Sequence, residues 1–134
     1  MTKCAKPCQT CPYVKFGKEV NIPHNKSWII NKKMTCESFN IIYMLECQKD
    51  NCRQRYIGET GRQLRQRIAE HRGYITNQVL TKATGAHWNL PGHSLANLRV
   101  TIIEQSKYNN AEYRKEREKH FIRKCYTFNN GINR

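Results

Sequence analysis

The residues in this chain best suited to chemistry fall into thiol, imidazole and carboxylate groups. Cys47 and Cys52 bracket four residues, and His87 and His93 bracket five. Both gaps lie in the range used by structural zinc. The distance between the pairs is far longer than in a DNA-reading zinc finger. They therefore read as a clamp between two distant loops, or else as two free thiols and two surface histidines. Cys4, Cys8, Cys11 and Cys36 supply a second set of four thiols, in which His24 could replace one member. Together the two sets use six of the seven cysteines and leave Cys125. An odd cysteine count does not close into intrachain disulfides, and clustered thiols in a reducing compartment bind metal more often than they pair.

A third group lies late in the chain. Ala111, Glu118, Ile122 and Cys125 fall on one helical stripe, with Phe121 beside them. A carboxylate among apolar neighbours is costly unless something compensates it. Either an arginine pairs with Glu118, or it is a metal ligand or acid/base group. Glu112 and Glu116 fall off the stripe and read as surface, whereas Cys125 reads as core.

These residues need elements to hold them. Residues 1–37 are rich in cysteine and lysine, have little periodicity and are broken by Pro7, Pro12, Gly17 and Pro23. Asn40 to Leu45 is a short apolar run that predicts a buried strand. Asp50-Asn51 predicts a turn and Arg55 to Gly58 a second strand, completing a hairpin. Leu64, Ile68 and Ile75 recur at helical spacing, so a helix is expected from Gly61 to about Ile75, carrying Arg67 and His71 on one face. Thr76 to His93, with Gly85, Pro91 and Gly92, reads as loop. Leu98 to Ile103 is a third strand, and Asn110 caps a helix from Ala111 to about Cys125. A turn is expected at Asn129-Asn130-Gly131. The fold class is α/β in the broad sense, of α+β type.

Twenty-four Lys and Arg against ten Asp and Glu leave a net charge of +14 in 134 residues. That excess points to a polyanion, with nucleic acid ahead of an acidic membrane. Arg62, Arg65 and Arg72 are candidate phosphate contacts. No stretch approaches the roughly 20 apolar residues of a membrane span. The start, Met1-Thr2-Lys3-Cys4, has no apolar secretory run. A cytosolic or nuclear setting is expected.

The order of these residues resembles the GIY-YIG nucleases. Ile41-Ile42-Tyr43 is followed after twelve residues by Tyr56-Ile57-Gly58, then by Arg67 and His71, then by Glu118 ahead of Phe121-Ile122, and last by Gly131-Ile132-Asn133. The resemblance covers residues 38–134 and leaves 1–37 as a cysteine-rich basic lead-in with a further zinc site. It departs from the pattern at Ile41, where the first motif usually begins with glycine. It implies a small three-stranded antiparallel sheet flanked by helices, here with a zinc-braced N-terminal extension. It also implies that Tyr43 and Tyr56 line the site, one of them positioning or deprotonating the attacking water. By the same likeness Arg67 stabilises charge on the phosphate, and His71 assists proton transfer or holds the leaving group. Glu118 binds one divalent cation, Mg²⁺ or Mn²⁺, and Asn133 fixes geometry near the phosphate.

Within that family, Cys47, Cys52, His87 and His93, together with the upstream cysteines, resemble the endonuclease domain of Penelope-like retroelements. That likeness implies a nuclear enzyme that nicks DNA to prime reverse transcription, partnered by the reverse transcriptase region of the same polyprotein. Two other readings fit the composition: a non-catalytic zinc-stabilised nucleic-acid binding module, and a DNA-repair nuclease of the same family. The sequence leaves the oligomeric state open.

Overall fold

A computed structural model describes residues 1–22, 26–128 and 130–134. His24 and Asn129 lie outside the described residues. The fold is α+β, with two antiparallel sheets. A hairpin, β1 (Glu19–Ile22) and β2 (Lys26–Ile29), precedes the main sheet. The main sheet has the order β4-β3-β5, where β3 is Ile41–Cys47, β4 is Arg55–Thr60 and β5 is Leu98–Gln105. Helix α1 (Leu64–Thr76) and the short α2 (Ala83–His87) lie between β4 and β5, and α3 (Ala111–Lys124) follows β5. No helix among the described residues is long and apolar enough to cross a membrane.

Strand β3 is the centre of the molecule, and all seven of its residues are buried. A continuous apolar run is what a strand covered on both faces requires. The alternation of side chains sorts the run between two cores. Ile41, Tyr43, Leu45 and Cys47 face Leu64, Ile68 and Ile75 of α1 together with Trp88. Ile42 and Met44 face Phe121 of α3 and Cys125 at its end, together with Val20 and Ile22 of β1. A register shift between Ile42 and Tyr43 in the pairing with β5 places Tyr43 opposite Ile102.

The helices begin where side chains satisfy their free N–H groups. Gln63 and Gln66 form a capping box that starts α1 at Leu64, three residues after the expected Gly61. Asn110 caps α3 as expected, its Oδ1 accepting from the Tyr113 N–H at 3.0 Å. The α3 stripe departs from expectation at its first turn. Ala111 is exposed and Arg114 is buried in its place, while Glu112 and Glu116 are on the surface and Cys125 is buried.

Two parts of the chain read as irregular are ordered. The lead-in forms β1 and β2, four residues each; in β1 Val20 and Ile22 are buried and alternate with exposed Glu19 and Asn21. Its Trp28 stacks on Phe121 with centroids 5.9 Å apart, and Lys124 Nζ lies 4.6 Å from the centre of the Trp28 ring. Val14 bridges Val100 in parallel, and Lys15 N–H donates to the Val100 carbonyl. Within the stretch expected to be loop, α2 forms because Gly85 permits close approach: a Cβ there would meet the Val79 carbonyl oxygen at 2.2 Å.

Candidate active site and metal centres

Tyr43 stands at the middle of the site. It pairs with Gly58 across β3 and β4, and its ring fills the space a side chain on Gly58 would take. Tyr56 pairs with Leu45, so it projects from the same face of the sheet, its ring centroid 6.5 Å from that of Tyr43. Arg67 and His71, one turn apart on α1, cover this face. The Nε–H of Arg67 donates to Tyr43 Oη at 3.1 Å, and Tyr43 Oη lies 2.7 Å from His71 Nε2. The other imidazole nitrogen, Nδ1, lies 2.8 Å from Thr84 Oγ1 on α2. The Nη1 of Arg67 also donates to Glu70 at 3.1 Å, and the same carboxylate takes Arg62.

Burial dominates the electrostatics. It pushes the Tyr43 phenol above its ordinary range, against the pull of the Arg67 charge, and raises Tyr56 in the same way. Burial, helped by the Arg67 charge, lowers His71 to about 3, so the imidazole is neutral at ordinary pH.

Glu118 projects from α3 toward β4. Burial, then the Glu59 charge, raises its carboxyl above the usual range. Among the described residues Glu118 makes no ion pair. The arginines nearby are committed elsewhere: Arg114 Nε donates to Glu59 at 2.8 Å and Arg117 binds both oxygens of Glu104. Arg67 and Lys115 act on Glu118 through their charge alone, which leaves its carboxylate a hard oxygen donor of the kind a divalent ion takes.

Asn133 lies on the outer edge of β4. Its Oδ1 accepts from the Ile57 N–H at 2.8 Å and its Nδ2 donates to the Ile57 carbonyl at 2.9 Å. The side chain imitates one residue of a neighbouring strand and holds the strand segment between Tyr56 and Gly58.

Both cysteine groups converge. The ligand atoms of Cys47, Cys52, His87 and His93 lie within 4.8 Å of one another, as do those of Cys4, Cys8, Cys11 and Cys36. In the first group Cys52 Sγ is 3.5 Å from His87 Nε2. In the second, Cys4–Cys8, Cys8–Cys11 and Cys11–Cys36 are 4.0, 3.6 and 4.0 Å apart. A tetrahedral zinc with bonds of ~2.3 Å to sulfur and ~2.0 Å to nitrogen sets S–S edges near 3.8 Å and S–N edges near 3.5 Å. Both groups fit that ion. The Cys8 N–H donates to Cys11 Sγ at 3.5 Å and, with the Cys4 N–H, brings that thiol down to about 6. Burial instead lifts Cys47 to about 11, a preference that a bound cation reverses.

The structure thus brings Tyr43, Tyr56, Arg67 and His71 together, with Glu118 close enough for its charge to act on both tyrosines. Thr84, Glu70, Glu59 and Arg114 also belong to this site and were missed in the sequence. Glu70 carried a faint signal in its i,i+3 spacing from Arg67; Thr84 carried none.

A phenol, an arginine and a neutral imidazole over one sheet face, with an unpaired carboxylate nearby, make a site for phosphoryl chemistry. Residues 39–133 match the family model of the GIY-YIG catalytic domain. The chain belongs to the GIY-YIG family and is a nuclease of that type. No curated protein and no solved structure matches it.

Proposed function

We propose that the chain is a metal-dependent DNA endonuclease that nicks its target to prime reverse transcription by the reverse transcriptase region of the same polyprotein. In this reading it acts in the nucleus, as the endonuclease domain of a Penelope-like retroelement. The likeness of the cysteine and histidine pattern to that group supports the biological setting. The convergence of Arg67 and His71 on the Tyr43 hydroxyl, with Thr84 behind His71, carries the chemical reading, because simple nucleic-acid binding has no need of a buried, hydrogen-bonded phenol.

Tyr43 is the base. Its oxygen is fully buried beneath Arg67, so the attacking water reaches it only as substrate binding displaces part of that cover. Arg67 keeps its Nε on Tyr43 and turns its outer nitrogens to the phosphate, where its charge offsets that of the pentavalent state. His71, neutral, steadies the phenol oxygen. Tyr56 closes the side of the site. Asn133 holds the strand on which Tyr56 lies.

Glu118 holds a single Mg²⁺, or Mn²⁺ in its place, which when bound polarises the phosphoryl group and neutralises the leaving oxygen. Zinc in the Cys47, Cys52, His87, His93 group and in the Cys4, Cys8, Cys11, Cys36 group is structural.

The test is plasmid nicking with Mg²⁺ by folded wild-type, Tyr43→Phe and Glu118→Gln proteins, each with a melting curve. Both variants are expected to lose activity by orders of magnitude and to keep DNA binding. Glu118→Gln removes a charge that Glu59 repels, so it should melt no lower than wild type without Mg²⁺. Wild-type nicking by Glu118→Gln overturns its role as metal ligand. A wild-type protein that binds DNA and never nicks it favours the non-catalytic binding module.

A further inference from the structure

The hydrogen bonds that end at Thr84 contain one proton too many. Three contacts link four side chains: Arg67 Nε to Tyr43 Oη at 3.1 Å, Tyr43 Oη to His71 Nε2 at 2.7 Å, and His71 Nδ1 to Thr84 Oγ1 at 2.8 Å. Uncharged tyrosine, imidazole and threonine, with the guanidinium, bring four hydrogens to these three contacts. Among the described residues neither Tyr43 Oη nor Thr84 Oγ1 has another hydrogen-bond partner. Both residues are buried, Tyr43 at 0% and Thr84 at 1% exposure. One buried O–H is therefore left without an acceptor, which is costly.

The two ends of the chain differ in how they can relieve this. A threonine hydroxyl does not ionise near neutral pH, so its surplus proton stays. A tyrosine proton can leave. Once it does, Thr84 donates to Nδ1, Nε2–H donates to the phenolate, Arg67 donates to the same oxygen, and every atom is paired.

We propose that Thr84 is a positioning residue that donates its hydroxyl proton to His71 Nδ1, holds the imidazole as the Nε2–H tautomer, and so makes Tyr43 Oη a two-donor site whose own proton is the one released. The inference rests on the reading of Tyr43 as the base. The tyrosine proton passes to solvent before attack. During attack the water oxygen bonds to phosphorus, a water proton goes to Tyr43 Oη, and the bond from phosphorus to the leaving oxygen breaks with its electron pair staying on that oxygen, which then takes a proton from solvent.

The groups facing Tyr43 are Arg67, Glu70 behind it and His71 from α1, Tyr56 from β4 and Glu118 from α3. Burial, Tyr56 and Glu118 keep the proton on, and Arg67 opposes them. The donor from His71, fixed by Thr84, adds to the side of Arg67.

The experiment compares wild-type, Thr84→Val and Thr84→Ser proteins, all zinc-loaded and shown to be folded by melting curves. Valine keeps the shape and removes the hydroxyl; serine restores it. The first readout is the tautomer of His71 in a long-range ¹H–¹⁵N spectrum, assigned with His71→Gln. Wild type and Thr84→Ser should carry the proton on Nε2. In Thr84→Val the neutral chain is best paired with Tyr43 donating to Nε2, so the proton should move to Nδ1. An Nδ1–H imidazole in wild type, or one tautomer shared by wild type and Thr84→Val, overturns the proposal. The second readout is the pH profile of nicking. Losing one hydrogen bond from the released state should move the rising limb up by about one pH unit, roughly tenfold in rate at fixed pH below it, with serine like wild type. An unmoved limb in Thr84→Val overturns the coupling to proton release. Undiminished nicking by Tyr43→Phe would defeat the reading of Tyr43 as base and leave the tautomer result standing.

Discussion

Tyr43 and Gly58 face each other across β3 and β4 so closely that a Cβ on Gly58 would lie 2.4 Å from both Cζ and Oη of Tyr43. The glycine that ends the second tripeptide is thus the socket for the tyrosine that ends the first. In Gly58→Ala the ring must move, and its hydrogen bonds to Arg67 and His71 move with it. Overpacking of this kind costs about 1–3 kcal/mol. The expected outcome is a protein that folds with a lowered melting temperature and nicks at least tenfold more slowly. Differential scanning fluorimetry beside a nicking time course checks it. An alanine variant that melts and nicks like wild type would show that the ring has room.

His71 makes stability depend on acid. Its folded pKa of about 3 lies below its ordinary 6.5, so the unfolded chain binds a proton that the folded chain refuses. Stability is full above about 6.5 and falls as pH drops toward 3, by about 1.4 kcal/mol per pH unit at its steepest. His87, lowered to about 4 mainly by burial, acts in the same direction. Denaturant midpoints from pH 7 to pH 4 should therefore fall less steeply in His71→Gln than in wild type. Equal slopes would mean that the imidazole is not held neutral.

Removing a ligand of the first metal group should act on the site as well as on the fold. Thr84 and His87 share the five-residue helix α2, so the cluster that holds His87 also seats the hydroxyl on His71. Cys52→Ser is expected to lose one zinc per chain and, because structural zinc contributes on the order of 10 kcal/mol of coupled folding energy, to melt at least about 10 °C lower. Metal analysis and a melting curve measure both. Zinc content unchanged in both Cys52→Ser and His93→Ala would remove this group from the metal sites.

DNA binding should follow the basic groove between the N-terminal cysteines and α1. Cys8, Gln9, Thr10, Arg65, Gln66, Ala69 and Arg72 line a cleft of about 510 Å³. Arg62 is held by Glu70, whereas Arg65 is exposed and the buried Nε of Arg72 has no hydrogen-bond partner among the described residues. Arg65→Glu and Arg72→Glu should weaken binding across DNA sequences and lower the salt slope by about one each, as loss of a phosphate contact does. Fluorescence anisotropy between about 50 and 200 mM salt measures the slope. Wild-type affinity in both variants would place the DNA elsewhere.

Sequence alone determined whatever depends on neighbours along the chain. The apolar run at Ile41–Leu45 defined the central strand, the spacing of Leu64, Ile68 and Ile75 defined α1, and Asn110 defined the start of α3. The order of tyrosines, arginine, histidine and glutamate pointed to the site because those residues must be of fixed type. Tertiary structure decided the partners. Asn133 meets the Ile57 backbone 76 residues away, and Thr84 meets His71 across two helices. Arg114 is buried because Glu59, Asn40 and Asn109 satisfy its donors. The hairpin of β1 and β2 is held by the face of α3 that it covers. No periodicity encodes these contacts, because each depends on which surfaces meet once the chain has closed around β3, and a hydroxyl or an amide shows its partner only there.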